Sequence, residues 1–203
     1  KYAEMNLAYP GLTRVHDSPP IYTVDNFLTP AQCETLIAAG RSGLKPSVVV
    51  DATAGLDVQP TRTSSSCYLL KDSFKWLTRM VTELSFLPVE NQEPPQVTHY
   101  APGQFYKAHH DAFDSSSESG RACIARGGQR VMTVLMYLND LGGSGATSFP
   151  SLKEAFYPKA GQAVVFFPCT TDGVLDPLAL HAADPVKEVK WVSQIWIRQC
   201  PYV

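Results

Sequence analysis

The chain has 203 residues, of which 44% are hydrophobic and 18% charged, a composition typical of one globular domain with a sizeable core. The formal net charge of -2 provides no bulk positive field, so we expect no nucleic-acid partner and no non-specific attraction to anionic membranes. No apolar run approaches the roughly 20 residues that span a bilayer. The opening "KYAEMNLAYPG" lacks a signal-peptide pattern. Whether a leader or anchor precedes residue 1 stays open.

One domain is expected over residues 1–203, with residues 1–19 as an extended lead-in. Two amphipathic helices are predicted in its N-terminal half. The first has Thr29 as N-cap, Pro30 at the first helical position, Gln32 completing a capping box, and a stop at residues 40–43. The second lies in "SFKWLTRMVTELSFL", where apolar residues recur at spacings of three and four: Phe74, Leu77, Met80, Val81 and Leu84.

From residue 96 onward the pattern changes to short β-branched and aromatic runs separated by turn residues. These runs are "VTHYA", "FYKAHHDAF", "RVMTVLMYL", "GQAVVFFP" and "WVSQIWIRQ". Because no long helix is needed between them, an antiparallel arrangement is favoured, and we predict an α+β fold whose helices buttress a jelly-roll core. The Ser- and Gly-rich stretch "DSSSESGRACIARGGQ" is predicted to be a mobile loop. The five cysteines form no Cys-x-x-Cys pair, and the sequence does not decide whether any of them form disulfides.

The stretch "AHHDAF" contains a candidate metal site. In a strand, residues i and i+2 project to one face, so His109 and Asp111 can converge while His110 points away. His181 precedes the last predicted strand, and an antiparallel roll can bring it beside this pair. Two imidazoles and one carboxylate leave half of an octahedron open, as in non-haem ferrous oxygenases. Zinc is the main competitor, because a catalytic zinc site can use the same ligands.

Five segments of the second half, in the correct order, resemble the catalytic domain of prolyl 4-hydroxylases, especially the short plant and algal type. They are "HYAPGQFYKAHHDAF", "GGQRVMTVLMYLND", "GGSGATSFP", "GQAVVFFP" and "LHAADPVKEVKWVSQIWI". The resemblance begins near Pro20 and implies a double-stranded β-helix enzyme. It also implies Fe(II) as cofactor, 2-oxoglutarate and dioxygen as cosubstrates, and ascorbate to rescue oxidised iron. The expected reaction is hydroxylation of proline to 4-hydroxyproline, coupled to decarboxylation of 2-oxoglutarate to succinate.

The resemblance also assigns roles to residues. It makes His109, Asp111 and His181 the iron ligands, and Lys190 the partner of the distal carboxylate of 2-oxoglutarate. Two hydroxyl groups are expected to assist at the same cosubstrate, those of Tyr100 and Thr147. Three residues are expected to line a groove for a proline-rich peptide in the polyproline II conformation: Tyr106, Arg130 and Trp196.

The sequence departs from the family pattern in two places. Ala146 stands where the family usually has a glutamate, and the spacing from His181 to Lys190 is one residue shorter than expected. Either the connecting turn is tightened or Lys190 enters from a shifted register. The segments "VVVDATAGLDVQPTRTSS" and "DSSSESGRACIARGG" are candidate lids over a bound peptide.

Other functions stay open at this point. A related dioxygenase could hydroxylate another protein side chain or a free amino acid, and a non-catalytic peptide-binding jelly roll is a second alternative. A zinc hydrolase is less favoured, because no glutamate stands next to the histidines as a general base. Asp111 argues against a halogenase, which needs a small residue at that position. The resemblance favours the endoplasmic reticulum and secretory pathway, and the oligomeric state is not indicated.

Overall fold

A computed structural model describes residues 1–49 and 61–203 of the chain. The described strands form two sheets in which every neighbouring pair is antiparallel. The larger sheet has the order β1-β2-β10-β7-β12-β5-β4-β3. Its strands are β1 (Leu12–Asp17), β2 (Pro20–Val24), β3 (Lys45–Pro46), β4 (Ser65–Tyr68), β5 (Gln96–Tyr100), β7 (Arg130–Tyr137), β10 (Ala163–Phe166) and β12 (Lys190–Arg198).

The smaller sheet has the order β6-β11-β8-β9. Its strands are β6 (Tyr106–His109), β8 (Thr147–Phe149), β9 (Glu154–Phe156) and β11 (His181–Ala183). Within the described residues, three α-helices accompany the sheets: α1 (Pro30–Arg41), α2 (Lys75–Ser85) and α3 (Glu118–Ile124). Together they confirm the predicted α+β jelly roll with N-terminal helices.

The alternation of side chains along β7 separates two hydrophobic cores. Val134 and Met136 pack with Leu36 of α1 and Val81 of α2, on the outer face of the larger sheet. The intervening Leu135 and its neighbours pack against the smaller sheet in a second core that contains Phe149 and Phe156. Because both faces of β7 are covered, all of its residues from Val131 to Tyr137 are buried, with no alternation of buried and exposed positions. Leu135 and Phe166 of this second core line the cavity that contains His109 and His181.

Helix α1 begins and ends where the sequence predicts. The Thr29 hydroxyl accepts a hydrogen bond from the Gln32 amide at 3.2 Å, and the Gln32 side chain accepts from the Thr29 amide at 2.8 Å. Gly40 lets the helix approach the sheet closely, because a Cβ at this position would lie 2.5 Å from Val97 of β5. The predicted second helix is also confirmed. It is α2, which buries Leu77, Val81 and Leu84 after a short 3₁₀ turn at Lys71–Phe74.

The Ser- and Gly-rich stretch is not simply a loop, which corrects the sequence prediction. It contains α3, whose N-cap Ser117 accepts a hydrogen bond from the Gly120 amide at 3.0 Å. A Cβ at residue 120 would lie 1.9 Å from the Asp114 carbonyl oxygen, so this close turn requires glycine. The helix has only seven residues, too few for the hydrophobic periodicity that identifies longer helices.

Each of the five predicted strand runs overlaps an observed strand, namely β5, β6, β7, β10 or β12. The remaining described strands were not predicted, among them β1, which lies within the expected lead-in and pairs with β2. Within the described ranges, no helix combines the length and apolar character needed to cross a membrane. All five cysteines lie in those ranges and are free thiols.

Candidate active site

Three side chains converge at one edge of the smaller sheet. His109 ends β6 and His181 begins β11, and the two residues are direct partners in the antiparallel pairing. The Nε2 atoms of both histidines lie 3.6 Å from Asp111 Oδ1. All three ligand atoms lie within 4.8 Å of one another, which is the arrangement required to hold one metal ion.

Outer hydrogen bonds orient each of these groups. Nδ1 of His109 lies 2.8 Å from the Lys107 carbonyl oxygen, and Nδ1 of His181 lies 3.0 Å from that of Ala179. A carbonyl oxygen can only accept, so both Nδ1 atoms carry the proton and both Nε2 lone pairs face inward. The Thr133 hydroxyl donates to Asp111 Oδ2 at 2.8 Å, which leaves Oδ1 to face the imidazoles.

The protonation states suit a cation site. Burial by itself raises the pKa of Asp111, but His181, His109 and Arg130 outweigh it and hold the pKa below its ordinary value. Burial lowers the pKa of His181 to about 4, so its imidazole is neutral near pH 7. An ionised carboxylate and a neutral imidazole are the forms that bind metal. The donor set therefore fits a divalent metal ion such as Fe(II), and it fits zinc equally well.

The predicted convergence of His109 and Asp111 is confirmed, but the reason given for it was partly wrong. Strand β6 ends at His109, so Asp111 lies beyond the strand. The alternation of side chains along a strand therefore does not explain why the two residues converge. The turn that follows β6 brings the carboxylate inward toward Thr133. His110 lies outside the cluster, as expected, and its buried Nδ1 has no hydrogen-bond partner among the described residues. Tyr106 stacks on His109, with ring centroids 3.5 Å apart.

A first cavity extends from the histidines toward the start of β12, and we call it the inner cavity. It is lined by residues of both sheets, including the three expected at the cosubstrate: Tyr100, Thr147 and Lys190. The Lys190 ammonium donates to the Gly145 carbonyl oxygen at 2.6 Å, and its side chain is 1% exposed. Burial lowers the pKa of Lys190 to about 8. Among the described residues no carboxylate lies within ion-pair distance of this ammonium.

The structure also resolves the question of spacing. Lys190 pairs with Tyr100 across β12 and β5, and its side chain reaches the inner cavity despite the shorter connection from His181. The register of Lys190 is therefore suitable for the predicted role. Ala146 is buried beside Gly145, so no acidic side chain enters the cavity from this position.

A second cavity of about 410 Å³ opens on the other side of the candidate metal donors, and we call it the groove. Three predicted residues line it, namely Tyr106, Arg130 and Trp196, together with His109 and Asp111. The candidate lid at Asp114–Gly128 contributes Ser117, Ser119 and Gly120 to the groove. The other candidate lid lies largely outside the described residues.

Arg130 is held by a carboxylate that the sequence analysis missed. Its guanidinium makes two hydrogen bonds to Glu93, at 2.7 and 2.8 Å, and lies 3.8 Å from the ring centroid of Trp196. Arg62 was missed as well, although it lines both cavities and lies 4.6 Å from the ring centroid of Tyr106. Neither residue belongs to a recognisable motif. Their positions depend on loops that only the folded chain brings together.

A larger cavity of about 570 Å³ lies elsewhere, between α2 and Pro88–Glu90. It is an open surface depression lined by residues such as Lys75, Arg79 and Thr82, and none of the candidate metal donors borders it. Size alone therefore does not identify the site in this protein. The convergence of metal donors, a buried cation and aromatic residues is the stronger criterion.

Comparison with known proteins agrees with this geometry. Residues 95–198 match the family model of the 2OG-Fe(II) oxygenase superfamily. Prolyl 4-hydroxylase 1 of Arabidopsis thaliana is 35% identical over 202 residues, which cover 90% of this chain and 70% of that protein. Prolyl 4-hydroxylase 2 of the same plant is 34% identical over 210 residues, covering 91% and 69%.

A solved structure extends the likeness to three dimensions. The viral collagen prolyl hydroxylase of Paramecium Bursaria Chlorella virus-1, in complex with 2OG, superposes with a TM-score of 0.65 at 27% identity. The match covers 88% of this chain and 95% of that one. By sequence, fold and metal-donor geometry, the chain belongs to the 2OG-Fe(II) oxygenase superfamily and, within it, to the prolyl 4-hydroxylases.

Proposed function

We propose that the chain hydroxylates proline residues of a peptide or protein to 4-hydroxyproline and converts 2-oxoglutarate to succinate in the same cycle. The observation that supports this most directly is the placement of the candidate metal donors between two unlike cavities. One cavity holds a buried ammonium, and the other is lined by aromatic rings and guanidinium groups. The names of the relatives and of the structural neighbour point to the same reaction.

His109, Asp111 and His181 would hold Fe(II) through one atom each. Bound Fe(II), together with 2-oxoglutarate and dioxygen, supplies the oxidising power that cleaves an unactivated C–H bond. The protein's part is to keep one face of the metal accessible. Three donors on one side leave the opposite positions for the cosubstrates, and the hydrogen bonds to main-chain carbonyls keep the imidazoles from turning away.

The inner cavity has a volume of about 30 Å³ and is lined by groups whose charge and hydrogen-bonding capacity suit a dicarboxylate. Lys190 would pair with the carboxylate far from the metal, and this pairing counts because the ammonium is buried and has no described carboxylate partner. The Tyr100 hydroxyl would add a donor at the same end. The Thr147 hydroxyl borders the same cavity and lies 2.7 Å from the Tyr137 hydroxyl, which also lies 3.0 Å from the Phe156 carbonyl oxygen. The apolar walls exclude water from the reacting centre.

The groove fits an extended, proline-rich peptide. A polyproline II chain has no internal hydrogen bonds, so its carbonyl oxygens need donors and its rings pack on flat surfaces. Arg130 and the Nε1 of Trp196 would supply donors. This Nε1 is buried and has no hydrogen-bond partner among the described residues. Tyr106 would border the peptide at the metal end of the groove, where its ring stacks on His109 and lies 4.6 Å from the Arg62 guanidinium.

Release of succinate, measured with a panel of proline-rich peptides and free amino acids, tests the proposal. We expect at least one proline-containing peptide to stimulate release and to gain one oxygen atom at proline by mass spectrometry. The matched controls are the same peptides with alanine in place of proline. Stimulation by another residue or by a free amino acid would move the activity to another dioxygenase class.

Metal binding can be tested without turnover. Under anaerobic conditions, Fe(II) and 2-oxoglutarate together should give the weak visible charge-transfer band of this enzyme class, and His181→Ala should abolish it. A protein that binds only zinc and gives no band would contradict the oxygenase assignment. Peptide affinity with no succinate under any condition would identify a non-catalytic binding module instead.

A further inference from the structure

A second arginine lies directly behind the groove. Arg198 of β12 pairs with Arg130 of β7 in the sheet register, and like charges placed opposite one another destabilise a sheet. Glu93 lies between them, with Oε1 2.7 Å from Nε of Arg130 and 3.4 Å from Nη1 of Arg198. Two guanidinium groups thus share one carboxylate. The two guanidinium groups carry one positive charge more than Glu93 neutralises, and this charge is buried because Arg198 is 1% exposed.

Arg198 directs its hydrogen bonding toward α3. Its Nη2 donates to the carbonyl oxygen of Cys123, in the last turn of the helix, where a cation is favourable. Its Nε and Nη1 have no hydrogen-bond partner among the described residues. The guanidinium also lies 4.8 Å from the ring centroid of Phe113, and that of Arg130 lies 4.7 Å from the same ring. Phe113 is therefore in contact with both cations.

These contacts fix the stretch of chain that follows the candidate metal ligand Asp111. We call residues 113–124 the groove wall, because Phe113, Ser117 and Gly120 line the groove. The other attachment of Phe113 is to Gln129, whose side chain bonds both the amide and the carbonyl of Phe113, at 2.9 and 2.6 Å. Arg198 itself is not among the residues that line the groove.

Stability alone does not account for Arg198. Glu93 already makes a two-pronged pair with Arg130, so it does not need a second cation. A buried charge with unsatisfied donors costs free energy, and an apolar residue of similar volume is often as stable or more stable at such a position. What an apolar residue would not provide is the bond to Cys123 and the contact with Phe113.

We propose that Arg198 is a positioning residue that holds the groove wall in place and thereby sets the affinity for the peptide substrate. This inference rests on the proposed function, since the wall matters only if a peptide binds there. Arg198 touches neither the metal donors nor the inner cavity. Its loss should therefore affect the peptide and spare the cosubstrate.

The kinetic test compares Arg198→Met with Arg126→Met. Arg126 is a matched control because its guanidinium lies 5.0 Å from the ring centroid of Tyr202, as that of Arg198 does at 5.5 Å, but donates to the Val203 carbonyl oxygen rather than to the wall. For Arg198→Met we expect the KM for peptide to rise about tenfold, the size expected from the loss of one charge-assisted hydrogen bond. The KM for 2-oxoglutarate should stay unchanged. Arg126→Met should leave both constants unchanged, and Arg198→Lys should restore part of the peptide affinity.

A second readout does not depend on activity. Trypsin can cleave after Arg121, an exposed residue of α3, only when the helix opens locally. Arg198→Met should speed this cleavage and amide exchange over residues 113–124, and Arg126→Met should not. If Arg198→Met fails to fold, Arg198→Lys carries the same comparison with a smaller expected effect.

The two readouts separate the possible failures. Faster opening of the wall in a protein that no peptide stimulates would overturn the proposed function and leave the tethering role intact. An unchanged opening rate would overturn the tethering role, whatever the peptide kinetics. A proportional rise in the KM values for peptide and for 2-oxoglutarate would also overturn it, since that pattern indicates general damage to the fold.

Discussion

At the scale of single residues, the metal donors are selected by orientation as much as by type. His109 and His110 are neighbours with the same side chain, yet only His109 directs Nε2 toward Asp111, because its Nδ1 is held by the Lys107 carbonyl. His110 has no such contact and lies outside the donor cluster. The hydrogen bond to the Lys107 carbonyl oxygen thus distinguishes His109, a candidate metal donor, from His110, which is not one.

Replacing each of these two histidines tests that distinction. His109→Ala should lose Fe(II) binding by more than about hundredfold, which exceeds the effect of removing an outer-sphere partner. His110→Ala, the matched control, should largely keep it. Anaerobic titration with Fe(II) in the presence of 2-oxoglutarate, followed by absorbance, measures both. Equal losses in the two variants would mean that the doubled histidine acts as a unit.

Lys190 should make cosubstrate binding depend on pH. Burial lowers the pKa of Lys190 to about 8, so the ammonium is present below that pH and is lost as the pH rises through it. The neutral amine cannot pair with a carboxylate, and we expect the KM for 2-oxoglutarate to rise above pH 8. Because the bound dicarboxylate favours the charged amine, kcat at saturating 2-oxoglutarate should fall only at higher pH.

Lys190→Arg provides the control, because a guanidinium stays charged throughout this range. If this variant binds 2-oxoglutarate at all, its KM should be flat between about pH 7 and pH 9. A break near pH 8 in both proteins would assign the titration to another group. Steady-state kinetics at several pH values, with succinate as the measured product, separates these outcomes.

At the scale of elements, helices α1 and α2 stabilise the roll from the side away from the site. Leu36 of α1 and Val81 of α2 pack in the core on the outer face of the larger sheet, whereas Phe149 packs in the core on the inner face beside His181. A change at the N-terminus of α1 should therefore lower stability and leave the binding constants alone. The capping box at Thr29 allows such a change, because it can be removed by one substitution at the start of α1.

Thr29→Ala removes the side-chain acceptor of that capping box. We expect a loss of about 1 kcal/mol in the free energy of unfolding. For a protein of this size that corresponds to a fall in Tm of roughly 2 to 4 °C. Thr35→Ala is the matched control, since its exposed hydroxyl bonds only within α1, to the Ala31 carbonyl. A Tm unchanged by Thr29→Ala, or a raised KM for 2-oxoglutarate, would contradict this division of roles.

At the scale of the whole molecule, the N-terminal residues contact the turn that carries the third metal donor. The Tyr2 hydroxyl donates to Asp176 Oδ2, and Asp176 Oδ1 accepts from the Leu178 amide at 2.8 Å. That amide belongs to the short 3₁₀ turn Pro177–Ala179. The Ala179 carbonyl then accepts from His181, so a chain of hydrogen bonds connects Tyr2 with the candidate metal site.

Breaking the first bond of this chain should weaken metal binding. For Tyr2→Phe we expect Fe(II) affinity to fall about tenfold, the lower end of the range for outer-sphere partners. Tyr9→Phe is the matched control, because Tyr9 also packs in the N-terminal segment, against Phe27, but makes no side-chain hydrogen bond in the described part of the chain. Anaerobic metal titration measures the effect. Equal affinities in both variants would show that the N-terminal contact is not transmitted to His181.

Local patterns in the sequence were sufficient for α1, α2, five of the strands and the chemistry of the donors. The helix starting at Pro30 is set by contacts three residues apart, and the mainly apolar run of β7 is set by burial on both faces. Such short-range determinants are visible in a linear chain. The resemblance to prolyl 4-hydroxylases supplied the roles of the remaining site residues, and the structure brings every one of them to one of the two cavities.

Tertiary structure alone decided which distant groups complete the site. Glu93 contacts Arg130 and Arg198, and Tyr2 reaches Asp176 across most of the chain length. Asp111 reaches the metal donors from a turn and not from a strand, although its place in "HHD" pointed to the right residue. Contacts at such sequence separation depend on loop closure and on the packing of the two sheets, which leave no periodic signal. The sequence by itself therefore indicated which side chains form the candidate metal site, and the folded chain determined what holds those side chains in place.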